Sequence, residues 1–188
     1  DVTIYVELEA ITYFIEYKLN DGIWADGFDY EKSYTIESAV DFRLPTSDKI
    51  IRQGYTFKGW YKDADYTEKI TSLVGLFEDI TLYAKWEVIN YSITYELNEG
   101  TWADNYSPFR YYTVEGITYL PSGNILIKEG FVFDGWYDNT GTAIDSLVGR
   151  TGDLTVYAKW RDENQVATVK FSPAAGGVDK ATEITLTC

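Results

Sequence analysis

The chain has no histidine, no methionine and one cysteine, Cys188, its last residue. Without histidine the usual general base of nucleophilic catalysis is missing. A lone thiol makes neither an internal disulfide nor the common Cys/His zinc site. Basic residues are a minority, 16 against 30 acidic ones, for a formal net charge of −14. Such an excess repels phosphate backbones, anionic lipids and sulfated glycans, so no nucleic-acid or membrane-surface partner is expected. The imbalance is spread evenly, with 9 basic and 13 acidic residues over 12–86 and 4 and 9 over 91–160. No block therefore reads as a charged interaction tail. No run of 18 apolar residues exists, so no membrane insertion is expected in this segment, and no signal-peptide pattern opens it. A start at Asp1 instead of Met is read as the start of an excised piece of a longer protein.

Aromatic residues, by contrast, are abundant: 6 Trp, 17 Tyr and 9 Phe, or 17% of 188 residues. Large flat side chains interspersed with Thr, Ile and Val favour strands over helices and supply enough apolar surface for real cores. Self-comparison then gives the strongest signal. Phe14 to Asp26 lies over Ser92 to Asp104 at an offset of 78 residues. Gly54-Tyr-Thr-Phe-Lys-Gly-Trp-Tyr61 lies over Gly130-Phe-Val-Phe-Asp-Gly-Trp-Tyr137 at 76, and Asp79-Ile-Thr-Leu-Tyr-Ala-Lys-Trp86 over Asp153-Leu-Thr-Val-Tyr-Ala-Lys-Trp160 at 74. Offsets that shrink by two between blocks place the deletions in loops. A further copy of the last block stands at the front, where Asp1-Val-Thr-Ile-Tyr5 matches Asp79 to Tyr83. The expected organisation is residues 1–11 as the last strand of a preceding repeat plus junction, 12–86 and 91–160 as two repeat domains, 87–90 as linker, and 161–188 as linker and an incomplete hairpin. A period near 75 residues suits a small independent domain better than a short solenoid unit.

Within a repeat, Tyr13, Ile15, Tyr17 and Leu19 alternate with Glu16 and Lys18, the period-two signature of a half-buried strand over 13–19. Asn20-Asp-Gly22 and Asn98-Glu-Gly100 supply the turn that ends it. Strands are expected over 33–36 and 111–114, continuing near 40–44 and 117–120, and a helix of one or two turns after Pro45, capped by Ser47 and ended by Gly54. In strand 55–61, Trp60 is out of step with Tyr55 and Phe57, and Gly59 is the place for a bulge that turns it inward. Ile80, Leu82, Ala84 and Trp86 alternate along a final strand. Strand, strand, short helix or loop, strand, strand predicts a mainly β (α+β) protein of tandem compact β-grasp domains with at most one short helix each.

The Gly-Tyr-x-Phe-x-Gly-Trp-Tyr block at 54–61 with its partner at 130–137, the two Tyr-Ala-Lys-Trp endings, and the Tyr-x-Leu-Asn-x-Gly-x-Trp openings at 17–24 and 95–102 resemble the Listeria–Bacteroides repeat, the B-repeat type of internalin B. The resemblance covers residues 1–160. It implies a ubiquitin-like β-grasp fold, an extracellular place on the bacterial surface or in the secreted fraction, and a role in spacing or adhesion beside flanking repeats of the same parent chain. No catalytic residues come with it. Some family members are basic and associate with anionic glycans; both repeats here are acidic, so that function is not carried over. Val166 to Gly177 followed by Ala181 to Thr187 is similar to the opening hairpin of the C-terminal module of chitobiases and β-hexosaminidases. Two lone strands are barely stable in water, so an ordered hairpin is expected to borrow a sheet edge.

Trp60, Trp86, Trp136 and Trp160 fall in alternating strands and are expected in the cores. Trp24 and Trp102 are read as loop residues and as the candidate contacts for an extracellular protein or glycan. Glycosidase chemistry needs two carboxyl groups flanking a cleft, whereas the acids here fall mainly on exposed faces. Asp63 and Asp65, or Asp134 and Asp138, lack the spacing of a calcium loop. No phosphate-cradling loop is present, since Gly59-Trp60 and Gly176-Gly177 do not precede helices. The expectation is a protein with no enzymatic activity, cofactor or metal.

Overall fold

Apolar alternation becomes strand where a sheet can bury one face. The computed structural model describes residues 2–5, 7–117 and 119–164, and the backbone of 167–170 and 183–186. The described chain is mainly β and divides into two units, Asp1–Ile89 and Asn90–Cys188.

In the first unit the strands are β1 (Tyr13–Lys18), β2 (Ile23–Trp24), β3 (Ser33–Tyr34), β4 (Ile50–Ile51), β5 (Tyr55–Tyr61), β6 (Lys69–Ile70) and β7 (Ile80–Val88). The sheet runs β3-β1-β7-β5-β6. Its centre is parallel, with Ile15 opposite Ile80 and Tyr17 opposite Leu82, and antiparallel strands flank it. Parallel neighbours need a long crossover, and residues 19–79 provide it. On the way they build the separate two-stranded ribbon of β2 and β4. β7 turns Ile80, Leu82 and Ala84 inward against Ile15, Tyr34, Ile50, Trp60, Ile70 and Leu73, which form the core.

The second unit repeats the plan with β8 (Tyr91–Glu96), β9 (Thr101–Trp102), β10 (Tyr111–Tyr112), β11 (Leu126–Ile127), β12 (Phe131–Tyr137) and β13 (Leu154–Asp162), in the order β10-β8-β13-β12. β8 and β13 are parallel, and β9 pairs with β11. The counterpart of β6 shrinks to a single bridge between Tyr137 and Ala143. Ile93, Tyr112, Leu126, Trp136, Ile144, Leu147, Val156 and Ala158 lie at the centre of this unit's own core.

The bulge falls where the sequence places it. The β5/β7 register shifts between Phe57 and Gly59, whose φ is 122°, and Trp60 becomes 2% exposed. In β12 the shift lies between Phe133 and Trp136, with Gly135 at φ 112°. Positive φ at this step costs a glycine little, and the extra residue brings the tryptophan back to the inner face.

Three local expectations are corrected. After Pro45 there is a turn and then β4, not a helix, because Ile50 is claimed by the ribbon opposite Trp24. The helical turns are 3-10 segments at Ser38–Val40 and Gly123–Ile125. The strand continuations over 40–44 and 117–120 are absent among the described residues. β14 (Ala167–Lys170) and β15 (Glu183–Leu186) pair antiparallel with each other, and no third strand joins them among the described residues. The turn between them and Cys188 lie outside the described residues. Residues 2–5 and 7–12 belong to no strand, and Val2, Ile4, Tyr5 and Leu8 are 82–90% exposed.

Candidate functional site

The repeated motifs are occupied with holding each repeat closed. Trp86 Nε1 donates to Leu19 O at 2.8 Å, and Asn20 Nδ2 donates to Ala84 O at 2.8 Å. The second repeat makes the same pair of bonds, Trp160 Nε1 to Leu97 O at 2.8 Å and Asn98 Nδ2 to Ala158 O at 2.7 Å. Asn20 and Asn98 sit at φ 51° and 49°, a left-handed turn that asparagine tolerates. A Cβ on Gly22 or Gly100 would overlap the Trp86 or Trp160 ring. The run Leu-Asn-x-Gly therefore exists to seat the tryptophan that ends the repeat. The bulge tryptophans are tied down as well, Trp60 Nε1 to Pro45 O at 2.8 Å and Trp136 Nε1 to Pro121 O at 2.6 Å. Tyr34 and Tyr112 donate to the carbonyls of Glu78 and Gly152, both at 2.7 Å.

Trp24 and Trp102, expected in loops, lie on β2 and β9, each half-buried against its own core. Tyr17 meets Trp24 edge-on at 5.2 Å, and Tyr95 meets Trp102 at 5.3 Å. Here the repeats part. Tyr30 stacks on Trp24 at 4.4 Å between ring centres and 24° between planes. Its counterpart is Pro108, and Trp102, Tyr95, Pro108 and Arg110 line a cleft of about 270 Å³. The hydroxyls of Tyr17 and Tyr95 are buried without a hydrogen-bond partner. Burial pushes both well above the ordinary tyrosine range, Tyr17 with a further push from the Glu31 carboxylate and Tyr30, and Tyr95 from Tyr106.

The acidic candidates do other work. Asp63 accepts bonds from the backbone N–H groups of Thr67 and Glu68 and from Thr67 Oγ1, and these hold its carboxyl below the usual range. Asp138 accepts from Thr140 Oγ1 and the N–H groups of Thr140 and Thr142, with the same effect. Both are loop caps. Asp65 and Asp134 are exposed. No group of three potential ligands among His, Cys, Asp and Glu gathers among the described residues.

A family model, the Listeria-Bacteroides repeat domain, matches residues 13–85 and again 91–159. The chain belongs to this family. Among its relatives, a protein of Evansella cellulosilytica described as a Gly-rich membrane protein is 30% identical over 98% of this chain and 20% of its own length. A membrane protein of the same organism is 31% identical over 93% of the chain and 24% of its own. Internalin H of Listeria monocytogenes is 32% identical over 69% of the chain and 23% of its own. The chain thus spans a fifth to a quarter of the length of these relatives. No solved structure matches it significantly.

Residues 13–85 and 91–159 are two tandem Listeria–Bacteroides repeats. Sequence reasoning missed Tyr30 and Tyr66, which have no tyrosine opposite them in the second repeat. Their signal is a mismatch between copies, and a search for shared blocks passes over it.

Proposed function

We propose that this chain is a non-catalytic tandem-repeat segment of a bacterial cell-surface protein, displayed outside the cell as a spacer and adhesion module. The observation that carries this is the use of the motif residues: Trp60, Trp86, Asn20 and Gly22, with their counterparts, are all spent on closing a core. Repeats whose shared residues serve folding suit a role in length and display, with specificity left to positions that differ. The relatives named as membrane proteins and as an internalin support an envelope setting. A central parallel pair of first and last long strands, flanked antiparallel on both sides, supports the β-grasp reading. The likeness of residues 1–5 to 79–83 supports reading 1–11 as the end of another repeat, with flanking repeats of the same chain as neighbours.

Pulling the chain between its ends in a force spectrometer tests the spacer role. Two separate unfolding events are expected, each releasing roughly 20–25 nm for about 70 residues. One concerted event, or unfolding at negligible force, would remove the mechanical basis of the proposal.

Binding of an extracellular protein or glycan through Trp24 and Trp102 is the second reading. The cleft beside Trp102 favours it in the second repeat, and the Tyr30 stack weighs against it in the first. Trp102→Ala should then abolish binding in a glycan and protein screen while Trp24→Ala leaves it intact. Equal losses from both would contradict this assignment.

A further inference from the structure

One loop differs in length between the repeats. Eight residues separate Tyr61 from Ile70, whereas six separate Tyr137 from Ile144. The longer loop carries Tyr66, held at φ 57° with its N–H on Asp63 O at 3.2 Å. Three groups receive its phenol ring. Tyr61 meets it edge-on at 5.6 Å, Lys85 Nζ lies 5.3 Å from its centroid, and Asn20 Nδ2 donates to its hydroxyl at 3.0 Å. An aromatic wall, a cation over the ring and an amide donor for the oxygen together specify a phenol.

The second repeat lacks the tyrosine but keeps its receptor. Tyr137, Lys159 and Asn98 are the counterparts of Tyr61, Lys85 and Asn20. With Tyr157 and Asp138 they line an open cleft of about 540 Å³. Lys159 Nζ lies 4.5 Å from the Tyr137 centroid, close to the 5.0 Å between Lys85 and Tyr61. Asn98 Nδ2 donates to Ala158 O just as Asn20 Nδ2 donates to Ala84 O. An amide nitrogen carries two N–H groups, and in the first repeat the second of them goes to Tyr66.

We infer that the cleft between Asn98, Tyr137 and Lys159 is a receptor for a tyrosine side chain of a partner polypeptide. It makes between molecules the contact that the first repeat makes within itself. The negative charge of the chain favours a tyrosine flanked by lysine or arginine, by steering the encounter. This site shares no residue with the Trp102 cleft and needs no spacer role, so its failure leaves both readings above untouched.

Titration of the isotope-labelled 188-residue chain with N-acetyl-tyrosinamide, followed by NMR, tests it. Saturable shifts are expected at Asn98, Tyr137 and Lys159 and none at Asn20, Tyr61 and Lys85. N-acetyl-phenylalaninamide, lacking the hydroxyl, should bind roughly 2- to 10-fold more weakly, the range of one neutral hydrogen bond. Tyr66→Ala should open the first repeat and add a second set of saturable shifts at Asn20, Tyr61 and Lys85. Absence of saturable shifts in the second repeat, equal affinity for the two amides, no new set in Tyr66→Ala, or a stronger response to methyl glucopyranoside would each overturn the assignment.

Discussion

The two repeats share their locks and differ in their fillings. Both seat a terminal tryptophan over a glycine, both bulge at Gly-Trp, and both tether a buried tyrosine hydroxyl to a carbonyl. Even an exposed pair persists in altered form, Arg52 with Asp21 in one and Lys128 with Glu99 in the other, each at 3.1 Å and each cation lying over an aromatic ring. Tyr30 and Tyr66 have no tyrosine opposite them, and where each ring is missing the second repeat has a cleft. The loss of two loop residues also reduces β6 to a bridge, yet Ile144 and Leu147 still reach the core as Ile70 and Leu73 do. The comparison separates residues that make the fold from residues that only fill its hollows.

The sharpest way to break the comparison is to remove a bulge tryptophan. Trp60→Ala should cost about 3–5 kcal/mol and unfold the first repeat while the second keeps its dispersed amide spectrum; Trp136→Ala should do the reverse. Loss of both sets of resonances from one substitution would show that the cores are not private. Next in size is the glycine under the terminal tryptophan. Gly22→Ala and Gly100→Ala should each cost about 1–3 kcal/mol by overpacking, with the Trp86 or Trp160 indole N–H resonance shifting as its bond to Leu19 or Leu97 is strained. A thermal melt unchanged in either would remove the lock from the argument.

A smaller effect of opposite sign comes from the unpartnered hydroxyls. Tyr17→Phe and Tyr95→Phe should raise stability by about 1 kcal/mol each, read as a higher urea midpoint, because a buried polar group with no partner is removed. In the native chain these hydroxyls titrate above the ordinary tyrosine value of about 10, so the unfolded chain releases their protons first. Their contribution is whole below that pH and is lost as pH rises beyond it, and the Phe variants should lose less there. At the acid end, Asp63 and Asp138 titrate below their unfolded value. Their contribution is present above about pH 4 and fades as pH falls through the depressed values. Asp63→Asn should flatten the acid limb of the first repeat only, and a melt resolved by repeat checks it.

Strands with strict alternation were legible residue by residue. So was the bulge, since Trp60 could reach the inner face only through an irregularity at Gly59. The short ribbon was not. Two-residue strands such as β2 and β4 carry no period, and Ile50 and Ile51 are equally compatible with a helical turn until Trp24 lies opposite. The same blindness put Trp24 and Trp102 in loops. Asp63 and Asp138 lack the spacing of metal ligands, but their role as loop caps was not legible either, because their bonds go to backbone two to five residues away, a pattern that depends on the loop's path.

Periodicity and self-similarity determined by themselves that this chain is two copies of one mainly β unit, because a period of two and a repeated block are properties of residue order alone. Which motif residues touch, and which hollows stand open, was decided only by the tertiary structure. Seating Trp86 on Leu19 and Gly22, or leaving Asn98, Tyr137 and Lys159 around a gap, brings together residues more than 20 positions apart. Such a meeting is created by the parallel pairing of the first long strand with the last, and no local spacing records it.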